Sequence, residues 1–242
     1  MKLRLENPLI FAKAIDLISE LVMEVKIKLN EFGLSIVAID PANVSMLRLI
    51  VPKSAFKEFE ADDEVLGVNI ENLKKILKRT TKTGDLIMER KENTLEIKIE
   101  DKIKRTFNLS LIEIDAEDKE FPNHLEFSSK IKLSSEDFVD SIEDCSVVSD
   151  SCSFKVKEGI FIIESRGHSS ARAEFGEEVA EIEAENSHSR YSLDYLQKFA
   201  KASKNFEKTL IKFATDHPLR IDFNSEHLSL SFILAPRIET DD

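Results

Sequence analysis

Along residues 1–114 the apolar positions switch repeatedly between a period of two and a period near 3.6. Residues 1–6 alternate as a half-buried strand does. Pro8 then suits the first turn of a helix, with Phe11, Ile15, Ile18 and Leu21 or Val22 on one face. Residues 25–40 alternate again about a hairpin turn at Glu31-Phe32-Gly33. Residues 44–51 form a further apolar strand that Pro52 ends, and Ser54 can cap a short helix reaching Phe59. Residues 65–68 read as a strand leading into a helix over 72–82, where Leu73, Ile76 and Leu77 share a stripe. A hairpin over 86–90 and 95–99, turning at Glu92-Asn93, and a long strand over 104–114 complete this half.

Residues 115–124 are acidic, lack periodicity and contain Pro122, so they read as a linker between a domain at 1–114 and one at 125–242. The pattern then restarts: a strand at 125–133, a helix capped by Ser134 or Ser135, and a hairpin over 153–165 about Glu158-Gly159. Strands at 170–175 and 180–184, a helix at 193–202 and strands at 209–214, 219–223 and 228–234 follow. The halves correspond in detail. Phe11 and Ile15 answer to Phe138 and Ile142. Leu73, Ile76 and Leu77 answer to Leu196, Phe199 and Ala200. Leu86, Leu95, Ile97 and Ile99 answer to Leu210, Leu219, Ile221 and Phe223. Matching blocks in one order point to an internal duplication. The expected class is α+β: a β-rich unit, present twice, with two helices per unit on one face of its sheets.

Charge sharpens this picture. The net charge is −12, which opposes nucleic-acid binding through total basicity. Yet the helix at 72–82 carries Lys74, Lys75, Lys78, Arg79 and Lys82 and no acid. Its counterpart repeats the bias through Lys198, Lys201 and Lys204, against Asp194. Such a run is either a solvated helix face or a surface aimed at a polyanion, and its recurrence in both units favours the second. The helix after Ser134 is the reverse, with Glu136, Asp137, Asp140, Glu143 and Asp144 and no Lys or Arg before Ser153.

Little points to catalysis. Five histidines (His124, His168, His188, His217, His227) lack metal-ligand spacing, so neither a metal nor a cofactor is expected. Cys145 and Cys152 fit neither a zinc nor a redox motif and suit a reducing compartment. No apolar run approaches the roughly 18 residues of a membrane span, and a signal-peptide pattern is missing at Met1, so an intracellular protein of the cytoplasm or nucleoid, without a membrane partner, is expected.

The segments Ala38-Ile-Asp-Pro-Ala-Asn-Val-Ser45, Leu66-Gly-Val-Asn-Ile-Glu-Asn-Leu-Lys-Lys-Ile-Leu-Lys-Arg79, Arg105-Thr-Phe-Asn-Leu-Ser-Leu-Ile112, Val147-Val-Ser-Asp-Ser151 and Leu234-Ala-Pro-Arg-Ile-Glu239 together resemble the sliding clamps of the proliferating cell nuclear antigen type, in their archaeal form. The resemblance spans the whole chain. It implies the DNA clamp fold and a closed ring, usually a homotrimer, that encircles duplex DNA without reading sequence and is not an enzyme. By position, Lys13, Lys75, Lys78, Lys82, Lys198 and Lys201 are similar to basic residues facing the hole, and Lys204 extends that set. DNA polymerase, clamp loader, flap nuclease and ligase are the implied partners in replication and repair, through short motifs of the PIP type. Carried over by position, their pocket uses Ile39, Asn43, Val44, Met46, Pro218, Ile233, Ala235, Pro236 and Ile238, with Phe121 and Pro122 from the linker. Asp118, Lys119 and Glu120 stand where apolar linker residues often occur.

The resemblance also implies subunit contacts between strand 104–111, through Arg105, Phe107 and Leu109, and strand 170–175 of the next copy, through Ala171, Ala173 and Phe175. The acidic helix departs from family members that are basic there. The expectation is that Asp140, Glu143 or Asp144 pairs with Arg79, Lys82 or Arg105 of the next copy. One subunit of a hetero-oligomeric checkpoint or repair clamp is the alternative.

Overall fold

The computed structural model describes residues 1–115 and 117–238. Ala116 of the expected linker and Glu239 of the terminal motif lie outside the described residues. The chain divides into two compact units, one built from Met1–Pro41, Leu47–Phe121 and Ser225–Leu230, the other from Ala42–Met46, Pro122–Asn224 and the chain from Ser231 onward.

In the first unit β1 (Lys2–Glu6) leads into α1 (Leu9–Ile18), then β2 (Glu24–Asn30), β3 (Gly33–Ile39) and β4 (Ser45–Pro52). After β5 (Glu58–Glu60) and β6 (Glu64–Asn69) comes α2 (Ile70–Leu77), followed by β7 (Asp85–Lys91), β8 (Thr94–Glu100) and β9 (Lys104–Ser110). These strands align in the orders β5-β1-β7-β8-β9 and β4-β3-β2-β6. The second unit runs β10 (Ser129–Ser134), α3 (Ser135–Ser146), β11 (Ser151–Lys157), β12 (Ile160–Arg166), β13 (Ser170–Phe175), β14 (Ala180–Ala184) and β15 (Ser187–Ser192). It continues with α4 (Leu193–Ser203), β16 (Lys208–Phe213), β17 (Leu219–Asn224) and β18 (Ser229–Leu234). Its orders, β14-β10-β16-β17-β18 and β13-β12-β11-β15, reproduce those of the first unit strand for strand. The fold is therefore α+β and duplicated, as the sequence pattern implies.

The apolar stripes do the work assigned to them. Phe11, Ile15 and Ile18 of α1 and Leu73 and Leu77 of α2 are buried, as are Phe138 and Ile142 of α3 and Leu196 and Phe199 of α4. Each such side chain contributes roughly 1.5–3 kcal/mol on leaving water. In the second unit Phe154 meets Phe161 and Tyr191 edge-on at centroid distances of 5.7 and 5.4 Å.

Four expectations need correction. The basic helix ends at Leu77, because Thr80 turns back with both its amide and its hydroxyl onto the Leu77 carbonyl. Lys78 is therefore a C-cap residue, and Arg79 and Lys82 lie beyond the helix. No helix runs from Ser54 to Phe59. A 3-10 turn (Lys53–Ala55) gives way to β5, which pairs Lys2 with Glu60 and stacks Phe59 edge-on against Phe56 at 5.1 Å. The strand from Lys104 stops at Ser110, where the chain leaves β8 and the Ile112 amide donates to the Gly67 carbonyl of β6 instead. The strand expected over 125–133 begins only at Ser129.

One strand gives no apolar signal. β15 reads Ser-His-Ser-Arg-Tyr-Ser, and its inward set is Ser187, Ser189 and Tyr191, all buried. Hydroxyl pairing replaces apolar packing there: Ser187 Oγ and Ser129 Oγ are 2.6 Å apart, and Tyr191 Oη donates to the His217 carbonyl.

Candidate functional site

The two helices of each unit lie side by side, α1 with α2 and α3 with α4. Their buried stripes face the sheets, which turns the polar residues outward. Lys13, Lys75, Lys78, Lys82, Lys201 and Lys204 are exposed, and Lys198 is half-buried with its ammonium 5.3 Å from the Tyr195 ring centroid. These lysines are not equally available. Lys78 Nζ is 3.4 Å from Asp16 Oδ1, and Lys204 Nζ donates to Glu143 Oε1 at 2.9 Å. Lys74, which the sequence groups with the basic run, is turned inward onto Asp16, Glu71 and the Ser19 hydroxyl. Burial lowers its proton affinity, but hydrogen bonds to Asp16 and Glu71 outweigh that and leave the ammonium raised above its usual range.

Among the strands that end their sheets are β9 in the first unit and β13 in the second. Each carries an alternating face. Arg105 and Phe107 are half-buried and Leu109 buried, and Ala171 and Ala173 are half-buried with Phe175 buried. Helix α2 packs beside β9 and helix α3 beside β13. The exposed acids Asp140 and Asp144 therefore flank one edge strand, and exposed Arg79 follows the helix that flanks the other. Glu143 already has Lys204 as a partner within its own chain, so it is the weakest of the expected bridging acids. On the outer side of β12, Glu164 is 4% exposed and takes Lys155, Arg166 and Arg172 at 2.5, 3.4 and 2.9 Å. Burial pushes this carboxyl up, but the three cations overcome it and hold the group below its ordinary range.

The residues of the expected partner pocket fall as follows. In the second unit the Ala235 amide donates to the Val44 carbonyl at 2.9 Å, which draws Val44 and Ala235 together. Met46, Pro218 and Pro236 are half-buried, Ile233 is buried, and Ile238 is 82% exposed. Asn43 is exposed and takes a left-handed conformation, φ 57°, which Asn tolerates better than most side chains. In the first unit Ile39 is half-buried. Phe121 is 5% exposed and lies under the Arg48 guanidinium, 4.3 Å from its ring centroid, so it offers little area to a visiting peptide. Pro122 is half-buried.

Sequence reasoning missed the charges that fasten these segments. Asp118 is held by Lys28 at 2.8 Å and Lys26 at 3.0 Å, and these hydrogen bonds keep its carboxyl below the usual range. Arg237 donates to Asp150 at 2.8 Å, and its amide donates to the Arg190 carbonyl. No spacing rule announces ion pairs between residues this far apart in the chain. Among the described residues no group of three or more His, Cys, Asp or Glu is placed to hold a metal ion, and no helix is long and apolar enough to cross a membrane.

With this geometry in view, comparisons with known proteins are specific. Residues 1–120 match the family model for the proliferating cell nuclear antigen N-terminal domain, and residues 122–238 match that for the C-terminal domain. The DNA polymerase sliding clamp of Thermococcus gammatolerans is 35% identical over 238 residues, covering 95% of each chain. That of Pyrococcus furiosus is 34% identical over the same length and coverage. A chain solved in a PCNA2–PCNA3 complex from Sulfolobus tokodaii superposes with a TM-score of 0.90 at 26% identity, covering 99% of this chain and 100% of that one. The proliferating cellular nuclear antigen of Entamoeba histolytica shares the fold, with a TM-score of 0.91 at 22% identity and 98% coverage of both chains.

Proposed function

The chain belongs to the proliferating cell nuclear antigen family, and from that membership we propose that it serves as a DNA sliding clamp, a ring-shaped processivity factor that encircles duplex DNA and tethers DNA polymerase. It is not an enzyme; its work is retention and docking, inside the cell and on DNA. The observation that carries the reading is the whole-length duplication. Two equivalent units each pair a basic second helix with sheets of one topology. Topological retention makes strong local contacts unnecessary, so lysines that meet phosphate and read no base are sufficient. In this reading Lys13, Lys75, Lys78, Lys82, Lys198, Lys201 and Lys204 supply those contacts.

Self-association of three copies uses the open edges, with β9 of one copy beside β13 of the next. Arg105, Phe107 and Leu109 then meet Ala171, Ala173 and Phe175, and Asp140 or Asp144 faces Arg79, Lys82 or Arg105. Partner enzymes, including loader, flap nuclease and ligase, dock short motifs against Ile39, Asn43, Val44, Met46, Pro218, Ile233, Ala235, Pro236 and Ile238. A turn of helix bearing aromatic anchors fits such a surface. Phe121 and Pro122 of the linker belong to the same proposed set, and Phe121 contributes less because Arg48 already covers it.

A second reading, one subunit of a hetero-oligomeric ring, is favoured by the unequal charge of the two flanking helices and by the two-component Sulfolobus tokodaii complex. Absolute mass by light scattering separates the readings. The pure 27.6 kDa chain gives about three chain masses if it closes a ring on itself. A monomer at every protein and salt concentration contradicts self-closure and leaves the hetero-ring.

A further inference from the structure

In each unit one lysine of the basic face is held by a carboxylate of the neighbouring helix. In the first unit Asp16 directly follows the core residue Ile15 of α1, and its carboxylate meets Lys78, the C-cap residue of α2, at 3.4 Å. In the second unit Glu143 directly follows the core residue Ile142 of α3, and its carboxylate meets Lys204, the C-cap residue of α4, at 2.9 Å. The two carboxylates stand at equivalent places in the repeat, whereas Lys78 answers by position to Lys201 and Lys204 lies about one turn further along the longer α4. The surroundings do not match: α1 carries Lys13 beside this position, while α3 has no cation at all. In the first unit Lys74 shares Asp16 at 3.2 Å and also meets Glu71.

We propose that Asp16 and Glu143 are internal competitors for DNA phosphate: each holds the ammonium that a phosphate would take, and releases it when a phosphate arrives. This rests on the sliding-clamp reading above. A carboxylate and a phosphate present the same kind of anionic oxygen to a lysine. The side chains of both pairs are between 45% and 60% exposed, so water screens them, although the Asp16 oxygen that meets Lys74 and Lys78 is itself covered and exchange is easier at Glu143. A lysine that leaves one phosphate returns to its carboxylate and never becomes a bare cation, which flattens the energy between one phosphate and the next. When Lys78 leaves, Asp16 keeps Lys74, whereas Glu143 without Lys204 takes up a cation from solution, which offsets part of the counterion release on DNA. Retention by the ring makes this loss of affinity harmless, and motion along the duplex benefits from it.

The test is equilibrium binding of the intact assembly to a short labelled duplex across a salt series. The variants are Asp16→Asn, Glu143→Gln, Lys78→Gln, Lys204→Gln and each acid–lysine double substitution, with Glu136→Gln as a control for charge removal on α3. Each acid substitution is expected to tighten binding about two- to fivefold, the range of an exposed ion pair. It also steepens the fall of log affinity with log salt, and its effect disappears when the partner lysine is already Gln. Asp16→Glu keeps the charge and is expected to keep wild-type affinity, and thermal unfolding checks that each variant is folded.

Gains equal to that of Glu136→Gln, or gains that persist without the partner lysine, overturn the proposal. A separate outcome, in which wild-type binding is unaffected by removing either lysine together with Lys13, Lys75 and Lys82, removes the DNA reading itself and the proposal with it.

Discussion

Single residues fix how the segments join. Gly67 lies on β6 where the chain after β9 crosses over it, and a Cβ there collides with the Ile112 carbonyl. Gly67→Ala is expected to destabilise the first unit by about 1–3 kcal/mol, the range for forcing extra volume into a packed site, and thermal unfolding reads it. Glu164 is a second such residue. Its carboxyl is held below the ordinary range, so it stabilises the fold fully above the unfolded value of about 4.3. That contribution is lost as pH falls through the lower folded value. Glu164→Gln is expected to cost about 1.5–3 kcal/mol near neutral pH, with the gap to wild type closing in acid. A gap that stays constant from pH 7 to pH 3 contradicts this assignment. Neither residue announces its role in the sequence. A glycine inside a strand and a glutamate in an apolar run are ordinary until the neighbouring strands are in place.

Elements were legible wherever a periodic apolar stripe met a turn signal. The hairpins at Gly33, Glu92-Asn93 and Glu158-Gly159 stand where the sequence puts them, and Gly33, Glu92, Glu158 and Gly159 all take positive φ as those turns require. Legibility failed for β15, whose inward serines are satisfied by hydroxyl contacts, and for the end of α2, where lysines continue past the last helical turn. The candidate site divides along the same line. The alternating faces of β9 and β13 were readable, but the Asp118, Arg48 and Arg237 contacts depend on tertiary approach.

Two expectations belong to this scale. Asp118→Asn removes the charge and one of the two acceptor oxygens that hold Lys26 and Lys28, and amide hydrogen exchange over residues 117–121 is expected to rise about two- to fivefold. Asn108→Pro on the open edge of β9 removes a main-chain donor from an edge strand. It is expected to lower the mass seen by light scattering while circular dichroism stays close to wild type. Unchanged mass contradicts the edge-to-edge assembly.

At the scale of the whole molecule a net charge of −12 coexists with two basic helix faces. In the proposed function segregation resolves the apparent conflict: DNA would meet only the lysine faces, and the acidic remainder would suit basic residues flanking partner motifs. If the flanking ion pairs contribute to assembly, the mass falls toward one chain as salt rises, because exposed pairs are screened within about 10 Å at 0.1 M salt.

The central claim is topological, and one measurement meets it directly. The protein is threaded onto linear duplex DNA, both ends are blocked with a bulky protein, and the salt is then raised to weaken ordinary phosphate contacts while staying below the level at which light scattering shows the assembly coming apart. The account predicts that the protein stays on the blocked DNA and leaves when a single internal cut frees an end. Loss at the same rate from blocked and cut DNA contradicts encirclement, and with it the sliding clamp.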